Sequence, residues 1–198
     1  MIEHILHLER ELSSFDGYEG WVIGKASFHI EKKKGQDKTD RKKLRDTSRL
    51  AILEIQRSDM EYQGTLQVTL VLPGKDRIKN TERPVSDTEQ AKYKRSIIFD
   101  QEQVDAYLEE TRDCNPIHKG RNAIVPGFLM VNKIVEEYRD FLEVKEINPQ
   151  IWEIHARFQN AVKVGEVVQI EDEMKDKKLI ITGSQGNVDC FMISVDFE

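Results

Sequence analysis

The chain has 198 residues, 38% hydrophobic and 33% charged, with a formal net charge of −6. That length suffices for one large domain or two small ones with a substantial core, and the acidic balance argues against a general nucleic-acid binder. No apolar run approaches the roughly 18 to 20 residues of a membrane span, the first seven residues lack the pattern of a secretory signal, and two cysteines, Cys114 and Cys190, read as free thiols of a cytoplasmic protein.

Ile2, Ile5, Leu6 and Leu12 recur at helix-like spacing over residues 1–14. Trp21 to Ile30 reads as a strand, with Ala26, Phe28 and Ile30 alternating with Ser27 and His29. A basic stretch, Lys32 to Arg45, follows. It reads either as a phosphate-binding arm or as a solvated, mobile loop between strands. The loop is preferred, because charge runs stay in water. Leu50 to Ile55 is strand-like, and Leu66, Val68, Leu70 and Leu72 alternate with Gln67 and Thr69 before Pro73-Gly74 closes that strand. Residues 1–92 therefore read as a mostly-β half with no strong helix in its middle. Its last part, 74–92, carries Pro84, Ser86, Asp87 and Thr88 and reads as a linker ending at a boundary near residue 92.

The second half, 93–198, opens on a short strand at Ser96 to Phe99. Asp100 then offers an N-cap with Gln103 three residues on, a capping-box pattern, and the helix it starts aligns Val104, Tyr107 and Leu108. A proline-containing loop spans Asp113 to Pro126. A longer helix begins at Gly127, with Val131, Ile134, Val135, Tyr138, Phe141 and Leu142 at helical spacing. Trp152, Ile154, Ala156 and Phe158 mark a half-buried strand. Val162 to Ile170 reads as a second strand bent at Gly165 and Leu179 to Thr182 as a third. Gly183 to Asn187 reads as a turn, and Phe191 to Phe197 as a final strand. The whole is α+β, one long helix packed on an antiparallel sheet.

The segment Asp113-Cys114-Asn115-Pro116-Ile117-His118 carries the chemistry. Pro116 fixes its own φ and biases Asn115 toward an extended backbone, so the turn between carboxylate and imidazole is stiff. Such a pair sharing a water can give one proton and take another. By spacing alone, an ordinary Asx-type turn carrying a surface histidine is the better reading.

The residues from Phe99 through Leu129 resemble the MaoC-like hydratase/dehydratase family. That family has an acidic-capped helix, then D-x-N-P-x-H, then a short loop into a glycine that opens the central helix of a hotdog fold. Here these read Phe99-Asp100, Asp113 to His118, and Ile124-Val125-Pro126-Gly127-Phe128-Leu129. Arg157-Phe158 with Val162 and Gly165-Glu166 resembles the family's later strand-and-turn, with Ala161 in place of the usual Pro and Glu166 in place of Asp. The likeness covers about residues 96 to 198.

The resemblance implies a hotdog fold and a site for trans-2-enoyl or 3-hydroxyacyl thioesters carried on coenzyme A or acyl carrier protein, with no metal or redox cofactor. It implies that Asp113 and His118 hold the catalytic water and that a backbone N–H at Gly127 polarises the thioester oxygen. A helix N-terminus suits a developing enolate. Asn115 is expected to orient the loop. Pro126 stands where the family commonly has His; acyl carrier protein dehydratases of the related hotdog type carry Pro-Gly there, and the difference bears on substrate orientation. The first half matches no quotable motif; it reads either as a degenerate second hotdog lacking its helix or as something else. Hotdogs pair, so a homodimer or an internal pseudo-dimer is expected. The alternatives to a hydratase/dehydratase are a non-catalytic acyl-thioester-binding module and a hotdog thioesterase.

Among other residues, Cys114 reads as filler in the motif's variable position rather than a nucleophile, and with His118 it has no further ligands for a metal. Lys119 and Arg121 read equally as phosphate contacts or solvated cations. His155 reads as a surface residue, Trp152 as core or interface, and His4, His7 and His29 as incidental.

Overall fold

The computed structural model describes residues 1–73, 93–144, 149–175 and 177–198. The segment 74–92 read as a linker, and the side chains of Phe141 and Leu142, lie outside the described residues. Helix α1 (Ile2–Leu12) comes first, then strands β1 (Val22–Glu31), β2 (Lys38–Asp46), β3 (Leu50–Ser58) and β4 (Gln63–Val71). The second half follows with β5 (Tyr93–Ile98), α2 (Gln101–Thr111), a 3₁₀ turn at Pro116–His118 and α3 (Gly127–Val144). It ends with β6 (Ile151–Phe158), β7 (Val167–Lys175), β8 (Lys178–Gln185) and β9 (Val188–Phe197).

All nine strands form one sheet in the order β2-β3-β4-β1-β6-β9-β8-β7-β5, and every pairing is antiparallel. The two halves join edge to edge through β1 and β6, where Ala26 faces Ala156, Phe28 faces Ile154 and Ile30 faces Trp152. These alternate residues are buried, whereas Lys25, His29, His155 and Arg157 between them are exposed. One face of the sheet is therefore the core and the other meets water, the usual outcome of period-two alternation in antiparallel strands.

Helix α3 lies on the core face. Its Phe128, Met130, Val131, Ile134 and Val135 are all buried, each stabilising the fold by about 1.5 to 3 kcal/mol. The Phe128 ring meets Phe28 of β1 edge-on, 5.5 Å between centroids, and Tyr138 donates to Asp172 of β7, so the long helix contacts strands of both halves. Helix α1 packs on β3 and β4 and touches α2 and α3, with Ile5 and Leu8 fully buried.

Four sequence expectations change. The basic stretch is not a loop throughout: Lys38–Asp46 is the edge strand β2, paired from Lys38 opposite Ser58 to Asp46 opposite Ala51. It lies almost wholly in water, so it buries no face and shows no alternation, and its charges discourage further strand pairing. Second, β7 begins only at Val167, because Gly165 turns the chain at φ 79°. The preceding Val162 to Val164 instead pairs with the loop before α3. Third, Gly183 to Gln185 belongs to β8 and the turn is confined to Gly186 and Asn187. Gly183 is needed because a Cβ there would lie 2.2 Å from the Phe191 ring opposite. Fourth, His4 is buried rather than incidental. Its Nδ1 donates to Asp59 Oδ2 at 2.7 Å, and Asp59 Oδ1 accepts the N–H groups of Glu61 and Tyr62. This ties α1 to the β3–β4 hairpin.

Candidate functional site

The site loop begins where α2 ends. Asp100 caps α2 by accepting from the Gln103 N–H while the Gln103 side chain accepts from the Asp100 N–H. At the other end Arg112 turns left-handed, φ 58°, and the Asp113 N–H reaches back to Leu108 O. That left-handed residue reverses the chain and starts the motif. Asp113 Oδ1 then accepts from the Asn115 N–H at 2.8 Å, an Asx turn, and Pro116 enters the 3₁₀ turn whose last residue is His118.

This geometry brings the carboxylate and the imidazole together. His118 Nε2 lies 3.6 Å from Asp113 Oδ2. The His118 side chain is buried, at 8% exposure, and that of Asp113 is partly open at 32%. His118 Nδ1 sits 2.8 Å from the carbonyl of Ile124. A carbonyl only accepts, so Nδ1 carries a proton, and in the neutral ring Nε2 presents its lone pair toward Asp113. At 3.6 Å the two are too far apart for a strong direct hydrogen bond. A water placed about 2.8 Å from each can donate one hydrogen to Nε2 and the other to the carboxylate.

Of the remaining predicted residues, Asn115 lies in the same turn, and Pro126 and Gly127 follow the loop that leaves it. Asn115 is a structural fastener: its Nδ2 donates to Trp21 O at 2.8 Å, and its Oδ1 accepts from the Gly20 N–H at 3.1 Å and weakly from the Ile117 N–H. The motif of the second half is thereby tied to the chain entering β1 of the first. Gly127 opens α3, and a Cβ there would lie 2.9 Å from Phe158 Cζ. Pro126 is buried, and its carbonyl accepts from the Met130 N–H in the first turn. The N–H groups of Gly127, Phe128 and Leu129 precede the first i to i−4 bond of α3, which leaves a partially positive end there. The loop before it is stitched to the stretch before β7. Val125 N–H donates to Val162 O at 2.8 Å, Val164 N–H donates to Ala123 O, and Ile124 bridges Lys163. Cys114, Lys119 and Arg121 are exposed. Among the described residues no group of three or more His, Cys, Asp or Glu is placed to hold a metal ion, and no helix is long and apolar enough to cross a membrane.

A buried polar cluster nearby was not anticipated. Glu9 of α1, only 3% exposed, accepts from Tyr107 of α2 at 3.1 Å and from Asn132 of α3 at 2.9 Å. Burial pushes its carboxyl up to about 8, the two hydrogen bonds notwithstanding. The available sign was a glutamate four residues after Ile5 and three before Leu12, on the apolar stripe of α1.

No family model matches the chain, and no curated protein matches it in sequence. Solved structures do match. The full-length peroxisomal multifunctional enzyme type 2 of Drosophila melanogaster aligns over all of this chain at 13% identity with a TM-score of 0.67, and the chain spans 40% of that larger protein. HtdX of Mycobacterium tuberculosis aligns over 98% of the chain and 85% of its own length, at 13% identity and a TM-score of 0.63. A MaoC-like dehydratase of Phytophthora capsici aligns over 89% of the chain and 72% of its own length, at 13% identity and a TM-score of 0.58. Structures described as thioesterases match as well, at TM-scores of 0.51 to 0.55. Likeness at such identity speaks to architecture, and the strand order and the long buried helix agree with it: this chain has the α+β hotdog fold, in a form similar to that of MaoC-like dehydratases.

Proposed function

We propose that the chain is a hydratase or dehydratase of enoyl and 3-hydroxyacyl thioesters carried on coenzyme A or acyl carrier protein, working through Asp113 and His118. The observation that carries this is the 3.6 Å gap between His118 Nε2 and Asp113 Oδ2, with Nδ1 pinned to Ile124 O. In hydration, the bridging water bonds through oxygen to the β-carbon as one member of the pair takes its proton. The alkene electrons move to the α-carbon and thioester oxygen, and the pair returns a proton to the α-carbon. Dehydration is the reverse, with water leaving. The N–H groups at Gly127 stabilise the enolate oxygen. Asn115 and Pro126 hold and enter this frame without exchanging protons.

The same reading takes residues 1–92 as a degenerate hotdog lacking its central helix and 93–198 as a complete one, joined as an internal pseudo-dimer through β1 and β6. The test is hydration of crotonyl-CoA and a longer enoyl-CoA, followed as loss of enoyl-thioester absorbance. Asp113→Ala and His118→Ala are each expected to lower the rate by about 10² to 10⁴. An active wild type whose two variants keep full rate overturns the assignment. The thioesterase matches favour one second reading, hydrolysis of the thioester. Release of free thiol from acyl-CoA without hydration would select it.

A further inference from the structure

The water-facing side of the sheet carries positive charge at the seam between the two halves. Lys25 of β1 stands directly opposite Arg157 of β6, and Ser27 directly opposite His155. Thr69 of β4 faces Lys25 from the other side, and Ser194 of β9 faces His155. These six residues line an open depression of about 340 Å³, and no acid lines it. That volume falls at the lower end of the roughly 300 to 1,000 Å³ of small-ligand sites.

Most other cations of the sheet have an acid beside them. Lys42 pairs with Glu54, Lys94 with Glu171 and Lys178 with Asp196. Among the described residues Lys25, His155 and Arg157 form no ion pair, although the chain holds 36 acids against 30 lysines and arginines. Like charges directly opposite one another on a sheet are destabilising, so an unrelieved Lys25–Arg157 pair is the kind of feature a bound anion would relieve.

We propose that this depression binds a phosphate-class oxyanion. The Arg157 guanidinium offers a planar fork of N–H donors, which suits two phosphate oxygens at once. Lys25 supplies the second cation across the seam. Ser27, Thr69 and Ser194 add hydroxyl donors, and the His155 ring an N–H. None of Asp113, His118 or Gly127 takes part, so the proposal stands or falls independently of the thioester reading.

The experiment is titration of the whole chain with inorganic phosphate and, separately, with phenyl phosphate, at constant ionic strength held with chloride. Calorimetry reads affinity and amide chemical shifts read location. Saturable binding is expected, with shifts at residues 25–27, 155–157 and 194, weakened at least tenfold by Lys25→Ala and by Arg157→Ala. Both positions are exposed, and circular dichroism checks that the variants fold. Binding of both probes points to any phosphoryl group and preference for one identifies the source; either supports the site. Lys25→Glu places an acid opposite Arg157 and is expected to abolish phosphate binding while raising Tm in phosphate-free buffer. No saturable binding, or equal binding in wild type and both alanine variants, overturns the proposal.

Discussion

Glu9→Gln is expected to make the protein more stable, and increasingly so as pH rises. Glu9 is buried where α1, α2 and α3 meet, with Tyr107 and Asn132 as hydrogen-bond donors to one oxygen and no donor for Oε1. Burial raises its carboxyl from 4.5 to about 8, so the folded chain keeps a proton that the unfolded chain gives up. Stability from this group is complete below pH 4.5 and drains away as pH rises toward 8, because the folded state binds more protons throughout that window. Each pH unit inside it costs about 1.4 kcal/mol, so between pH 5 and pH 8 Glu9 removes on the order of 3 kcal/mol. Glutamine cannot ionise. Its oxygen still accepts from Tyr107 and Asn132, and its N–H₂ supplies a donor where the buried Asn132 Oδ1 has no partner. Urea unfolding of both proteins at several pH values isolates the effect, since every other titrating group contributes equally to the two. The variant's advantage is expected to widen by about 3 kcal/mol from pH 5 to pH 8. Parallel stability curves would refute the argument and place the charge of Glu9 in contact with water or a cation.

The site makes its own predictions. Asn115→Ala removes the bonds to Trp21 O and the Gly20 N–H and leaves both backbone groups without that partner. A loss of about 1 to 3 kcal/mol is expected in denaturant melts, with a drop in turnover greater than the remaining folded fraction explains. Gly127→Ala puts a Cβ 2.9 Å from the Phe158 ring; an overpacking cost of about 1 to 3 kcal/mol is expected to exceed the helix-propensity gain. Adding Phe158→Leu should recover most of it, and a single variant as stable and active as wild type would show that the ring yields freely. For His4 and Asp59 both carboxyl and imidazole are held below their ordinary values. Burial lowers His4; burial opposes the shift at Asp59, but the N–H groups of Glu61, Tyr62 and His4 bring it to about 2. Both groups therefore bind fewer protons folded than unfolded, and stability falls as pH drops, below 6.5 for His4 and between 3.8 and about 2 for Asp59. His4→Gln is expected to flatten the acid limb of the stability profile, and an unchanged limb would place its origin elsewhere.

What could be read from the sequence divides along physical lines. Strands β1, β4, β6 and β9 and helix α3 each bury one face, so apolar residues recur with period 2 or 3.6 and announce the element. Strand β2 buries neither face, and nothing in Lys38 to Asp46 distinguishes a charged edge strand from a charged loop. The site obeys the same division. Asp113 and His118 sit five residues apart on a proline-stiffened turn, so the chain itself limits how far they can separate. What decides the direction in which that turn faces is remote: Asn115 on Gly20 and Trp21, and Val125 and Ile124 on Val162 and Lys163. Most of those contacts end on backbone groups, which every residue carries and no residue type reveals. Glu9, Tyr107 and Asn132 come from three helices and meet only because α1 packs against both α2 and α3. The proximity of a carboxylate and an imidazole confined to one turn is thus legible in a single sequence, whereas the scaffold around them is long-range and anonymous. Substitutions such as Asn115→Ala, which loosen this scaffold without removing either side chain, are therefore the sharper probe of whether the aim of Asp113 and His118 matters.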